Sequence, residues 1–231
     1  MMNLLACAMV RLTARDCART GYGDYLTVCE LGNQHLKPTV KSKFKTRNVK
    51  KFYQKYNFTE YFAIDTNESC FSVPMDLNYN IKSKYNFNKQ FDLVTNNGTG
   101  EHVFNQLSVF ENMHDLCKLN GYMLHILPFN SPEHGFYNFN PNLFGALALE
   151  NNYEIIVSVI ATADMSYYQP IEFTPNRQTK IVKEWNIPTD SYYSAECAVI
   201  MKKKSEKEFS IPMQEMYVKH IQSPEIRKNY K

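Results

Sequence analysis

The feature that most restricts the fold is an alternation of two kinds of segment along the chain. Short apolar runs rich in β-branched and aromatic residues recur between stretches patterned at helical spacing. Seven runs read as strands: 25–30 (YLTVCE), 61–65 (YFAID), 71–76 (FSVPMD), 91–96 (FDLVTN), 122–127 (YMLHIL), 153–160 (YEIIVSVI) and 195–201 (AECAVIM). Unbroken apolarity in such short runs fits strands covered on both faces, as in a parallel sheet. The third run carries Pro74, which suits an edge position.

Helical patterns fall between these runs. Residues 41–56 place Phe44, Val49, Phe52, Tyr53 and Tyr56 near helical spacing, with lysines elsewhere. Residues 103–119 carry a stripe of Val103, Leu107, Phe110, Met113, Leu116 and Cys117, and Asn120-Gly121 reads as its stop. Asn140-Pro141 opens a further helix through Leu149, with proline at a favoured early position. Strand alternating with helix predicts an α/β fold, a doubly wound sheet with helices on both faces. The expectation is one domain over 1–231: an N-terminal helix in 1–22, a loop or small cap at 165–192, and a C-terminal tail at 202–231.

Composition narrows the class. At 44% hydrophobic residues, general disorder is excluded. A net charge of +3 is too small to indicate nucleic acid by itself. The six cysteines show no two-residue spacing of a zinc or redox pair, so they read as buried reduced thiols of a cytoplasmic protein. The sequons at Asn57, Asn67 and Asn97 then read as accidental. The opening MMNLLACAMVRL has no basic leader before its apolar run, which favours a packing helix over a signal peptide. No stretch approaches the roughly 18 to 20 apolar residues of a membrane span, so no membrane partner is expected.

In open α/β sheets ligands bind beyond the carboxyl ends of the strands, near the switch in strand order. The residues just after the strands are therefore the informative ones. Glu30-Leu31-Gly32-Asn33-Gln34 follow the first, Asp65 closes the second, and Asp76-Leu77-Asn78 follow the third. Asn96-Asn97-Gly98-Thr99-Gly100-Glu101-His102 follow the fourth, and His134 to Asn138 lie after the fifth. A small residue after the first strand admits a ligand close to backbone, and a carboxylate after the second can accept from ribose hydroxyls.

With those residues in order, the run from Tyr25 to Tyr217 resembles the class I, Rossmann-like S-adenosylmethionine-dependent methyltransferases. It is similar to a branch carrying ELGNQ in place of the glycine-rich first motif. VCELGNQHL, KKFYQKYNFTEYFAIDTNE, FDLVTNNGTGEHVFNQ, NGYMLHILPF and HGFYNFNPNLF carry the resemblance, with FSIPMQEMY near the end. It implies a seven-stranded sheet, six strands parallel and AECAVIM antiparallel, with S-adenosyl-L-methionine as cofactor. It also implies that Glu30, Gly32 and Asn33 hold the methionine portion, that Asp65 binds the ribose, and that Asp76 and Leu77 flank the adenine. Asn96, Asn97, Gly98 and Thr99 would line the sulfonium end. The single Gly32 departs from the two or three glycines usual in that motif, and it argues against a pyrophosphate-bearing dinucleotide.

Methyl transfer from a sulfonium mainly requires alignment, and a base only where the acceptor carries a proton. His102, at the start of a helix after the fourth strand, reads either as a pocket group or as a helix cap. His134 and Tyr137, after the fifth strand, stand where acceptors bind in this fold, with loop packing as the alternative. His125 reads as a core histidine, and His114 and His220 as helix-surface residues. No metal site is expected, because histidines and acids lack close spacing on one element. The expected function is methylation of oxygen or nitrogen on a small-molecule acceptor. Two rivals stand beside it: a nucleic-acid or protein methyltransferase using the basic 37–55 face, and a degenerate interaction module.

Overall fold

The structure is a computed structural model. It describes all residues except 47, 70, 175–178, 182–186, 189, 191–193 and 231. Nine strands form one sheet among the described residues: β1 (Leu26–Leu31), β2 (Phe58–Asp65), β3 (Ser72–Pro74), β4 (Phe91–Asn97), β5 (Cys117–Asn130), β6 (Tyr153–Thr162), β7 (Tyr168–Phe173), β8 (Thr179–Ile181) and β9 (Ala195–Lys203). Their spatial order is β3-β2-β1-β4-β5-β9-β6-β7-β8. Strands β3, β2, β1, β4 and β5 pair in parallel. Strand β9 lies antiparallel between β5 and β6, so β6 runs with the parallel set. That is the six-plus-one arrangement implied by the resemblance.

The sheet nevertheless exceeds the expected seven strands. Strands β7 and β8 add an antiparallel extension beyond β6, drawn from the segment expected to be a loop or small cap. Their sequence hid them. YQPIEF contains Pro170 and alternates rather than forming an apolar run, because a strand near a sheet edge needs only one covered face.

Each central strand alternates its side chains between two cores. Cys29, Leu31, Val94, Val199 and Met201 face one layer, made with α4 (Ile81–Tyr85), α5 (Gln106–Leu116) and α6 (Pro141–Asn151). Val28, Leu93, Ala198 and Ile200 face the other, made with α1 (Leu4–Arg19), α2 (Pro38–Phe44) and α3 (Val49–Gln54). Helix α1 lies within the segment 1–22. The Asn3 side chain caps it by accepting from the Ala6 N–H at 2.9 Å.

Four local expectations need correction. The single helix over 41–56 is two helices, because Lys45 turns left-handed (φ 46°) and Asn48 caps a fresh start by accepting from the Lys51 N–H. Asn120-Gly121 does not stop a helix. Helix α5 already ends at Leu116, where Cys117 turns extended, and Asn120 (φ 60°) makes an irregularity inside β5. The charged tail begins later than residue 202, since Lys202 and Lys203 complete β9 and are buried. The Lys203 ammonium donates to the carbonyls of His114 (3.0 Å) and Cys117 (3.1 Å), so the end of α5 supplies the acceptors that a buried cation needs. His114 is buried rather than on a helix surface. Its ring bonds the Tyr153 hydroxyl and the Lys207 carbonyl, and burial lowers its pKa to about 4.

Cys7, Cys17, Cys29, Cys117 and Cys197 are buried free thiols. Cys70 lies outside the described residues. Among those described, no helix is long and apolar enough to cross a membrane.

Candidate functional site

Strand order reverses direction at β1, which has β2 on one side and β4 on the other, so a crevice opens above their carboxyl ends. It encloses about 350 Å³. Gly32, Asn33, Asp65, Asp76, Leu77, Gly98 and Thr99 line it, all of them singled out from sequence. Gln34 and Asn78, which follow the first and third strands in the same runs, line it too, with Ile64, Thr66, Met75 and Val103. Glu30 and Asn96 do not, and Asn97 lines a neighbouring cavity instead.

The crevice floor is built without a glycine-rich turn. Gly32 adopts φ 81°, and a Cβ there would land on the hydroxyl oxygen of Thr99. That hydroxyl donates to the Leu31 carbonyl at 2.7 Å, which ties the β4 loop onto the end of β1. The Gln34 side-chain amide donates to the Asn97 carbonyl at 2.9 Å, a second tie between the same loops. Glu30 acts from behind. It is fully buried and accepts from the Tyr53 hydroxyl (2.9 Å), the Tyr61 hydroxyl (2.5 Å) and the Gln34 N–H (3.3 Å). Burial outweighs these bonds and lifts its pKa to about 7. Side chains thus fix a loop that extra glycines would leave free.

Asp65 accepts from the Asn33 N–H (2.8 Å) and the Asn67 N–H (3.1 Å). Partial burial works to raise its pKa, but those amides prevail and hold the carboxyl below its usual value. An ionised carboxylate has about four acceptor positions, so Asp65 keeps capacity for a ligand hydroxyl. Asp76 is likewise held low, chiefly by the Asn78 N–H at 2.9 Å. Asn96 turns its side chain inward and accepts from the Gly100 N–H at 2.8 Å, which shapes the turn after β4.

Gly98 and His102 also line a larger cavity of about 900 Å³, so the two spaces meet there. Glu101, His134, Pro128, Glu196 and Lys37 are among its other walls. His102 follows from the 3₁₀ turn Gly100–His102. His134 arrives on a loop stitched to that turn: the Phe136 N–H donates to the Glu101 carbonyl at 2.7 Å, and Gly135 (φ 69°) packs where a Cβ would stand 2.8 Å from Glu101 Cγ. The two imidazoles meet edge to face with centroids 4.8 Å apart. Burial, with the neighbouring His134, lowers the pKa of His102, and burial raises that of Glu101.

Tyr137 does not join them. Its hydroxyl donates to the Phe104 carbonyl at 2.9 Å, and the ring lines a third cavity with Phe110, Phe139 and Leu143. His125 is a core residue, but its two ring nitrogens lack hydrogen-bond partners, and burial lowers its pKa to about 3. Among the described residues of the tyrosine-rich segment 166–193, none lines either of the two joined cavities.

The sheet order and crevice define a Rossmann-like fold of the methyltransferase type. No family model and no curated protein matches the sequence. Among solved structures, the chain is similar to 1,6-didemethyltoxoflavin-N1-methyltransferase of Burkholderia thailandensis, with a TM-score of 0.50 and 11% identity over 86% of this chain and 79% of that one. TehB of Haemophilus influenzae gives a TM-score of 0.48 and 12% identity, over 83% of this chain and 61% of TehB. At 11% identity the likeness to the Burkholderia enzyme is one of fold.

Proposed function

We propose that the chain is an S-adenosyl-L-methionine-dependent methyltransferase acting on oxygen or nitrogen of a small-molecule acceptor. The observation that carries this reading is the pair of joined cavities. The smaller sits at the switch point with the Asp65 carboxylate on its wall, and it opens into the larger one at Gly98 and His102. The Burkholderia methyltransferase, solved with 1,6-didemethyltoxoflavin and S-adenosylhomocysteine, has the same fold and supports the assignment of cofactor.

Asp65 would accept from the ribose hydroxyls, and Asp76 with Leu77 would flank the adenine. Gly32, Asn33, Gly98 and Thr99 would border the methionine and sulfonium end. The acceptor would enter the larger cavity, whose volume suits a small molecule. Transfer of the methyl group needs nucleophile, carbon and sulfur in line, which a rigid pair of cavities supplies by position. Where the attacking atom carries a proton, His102 or His134 would receive it through a ring nitrogen that holds no ion.

The test is transfer of tritium from methyl-labelled S-adenosylmethionine, offered to the protein with a panel of small hydroxyl- and amine-bearing compounds, RNA, DNA and protein. Label in the small-molecule fraction alone supports the proposal. Label in the nucleic acid or protein instead transfers the assignment to the basic 37–55 face.

A further inference from the structure

We propose that Glu101, His102 and His134 form a binding site for a divalent transition-metal ion at the wall of the larger cavity. The carboxylate oxygen Oε1 of Glu101 lies 3.4 Å from Nε2 of His134 and 3.8 Å from Nε2 of His102. One ligand atom from each residue can be chosen so that all three lie within 4.8 Å of one another. Nitrogen and oxygen donors bound tetrahedrally to zinc at ~2.0–2.2 Å stand roughly 3.3–3.5 Å apart. Small side-chain rotations therefore bring the three onto one ion.

A second observation points to a ligand at this place. Glu101 is 1% exposed, and its other carboxylate oxygen, Oε2, has no hydrogen-bond partner. A carboxylate oxygen left buried and unbonded keeps its desolvation penalty, and an ion held by both oxygens of the carboxylate removes it. The half-buried Glu196 lines the same cavity, with Lys37 on its wall as well. The positions are built rather than incidental. Gly135 packs against the Glu101 side chain, and the Phe136 N–H bonds its carbonyl, so the loop bearing His134 is held against Glu101. The sequence concealed the set because Glu101 and His102 are adjacent while the third donor comes from a distant loop.

Two imidazoles and one carboxylate form a donor set that suits zinc or ferrous iron and leaves coordination positions open. The open side adjoins the cavity and the junction at Gly98 and His102. The occupant of that side would be an acceptor oxygen, a use that rests on the methyltransferase reading, whereas binding of the ion does not. An acceptor hydroxyl would lose its proton to water on coordinating. Its oxygen would then form the new bond to the methyl carbon as the carbon–sulfur bond breaks and the electron pair returns to sulfur, giving the neutral thioether.

The experiment is competition for zinc between the chelator-stripped full chain and a chromophoric chelator, without S-adenosylmethionine. The expected result is one zinc per chain, with affinity reduced at least ~tenfold in His134→Ala and in His102→Ala. Both side chains are half exposed or more, so these variants should fold, and thermal melts would verify it. Glu101→Gln should lose zinc as well. No zinc bound to the wild-type chain, or zinc bound equally by both histidine variants, overturns the site. Because the cofactor is absent, neither result bears on whether the chain binds S-adenosylmethionine.

Discussion

The contact between Gly32 and Thr99 is the feature of the first loop most open to a quantitative test. Alanine at position 32 must hold φ 81°, which costs a residue with a Cβ about 1–2 kcal/mol. Its methyl also falls on the Thr99 hydroxyl, which must swing away and surrender its 2.7 Å bond to the Leu31 carbonyl. That bond is worth about 0.5–1.5 kcal/mol. Gly32→Ala should therefore destabilise by about 2–3 kcal/mol and Thr99→Ala by about 1 kcal/mol. The double variant should not reach their sum. With the hydroxyl absent, the new methyl meets only the Cβ of residue 99, at 3.4 Å, and the lost hydrogen bond is counted once. The double variant should match Gly32→Ala, an interaction of about 1 kcal/mol read from urea unfolding as a double-mutant cycle. Additivity within about 0.5 kcal/mol would mean that the two residues do not interact, since independent sites behave that way.

Other outcomes follow from the same geometry. Burial lifts the Glu30 pKa from the ordinary 4.5 to about 7, so the folded chain binds the proton more tightly than the unfolded one. That stabilisation is present below pH 4.5 and is lost as pH rises through 7. Urea midpoints at pH 5 and pH 8 should accordingly show Glu30→Gln gaining on wild type as pH rises, and a constant difference would contradict this. Asp65→Ala should weaken S-adenosylhomocysteine binding at least tenfold, about 1.4 kcal/mol, and unchanged affinity in a folded variant would remove Asp65 from the site. His125 presents two unpartnered ring nitrogens between Phe110 and Phe144. His125→Phe should leave the melting temperature equal or higher, because it deletes buried polar groups; a large drop would mean that those nitrogens have partners.

The central sheet was legible because buried parallel strands need apolar residues on both faces, and each such run became a strand. The walls of the crevice followed, since position after a strand is enough to place Gly32, Asp65, Asp76 and Thr99 on one rim. What escaped depended on tertiary partners. Lys202 and Lys203 look like tail until the carbonyls at the end of α5 and the Tyr122 hydroxyl are in place around them. Glu30 looks like a ligand-binding acid until Tyr53 and Tyr61 close over it. Tyr137 stands in a loop beside His134, yet a hydrogen bond to Phe104 turns it to another cavity. The meeting of Glu101 with His134 depends on a left-handed glycine and one backbone bond, neither of which leaves a spacing to read.

The claim on which the account rests is that the crevice over β1, β2 and β4 holds S-adenosyl-L-methionine. Calorimetric titration of the purified chain with S-adenosylmethionine, and separately with S-adenosylhomocysteine, tests it directly. One site and micromolar affinity are expected for each. No heat at millimolar ligand would contradict it and leave a fold of the methyltransferase type that serves as an interaction module.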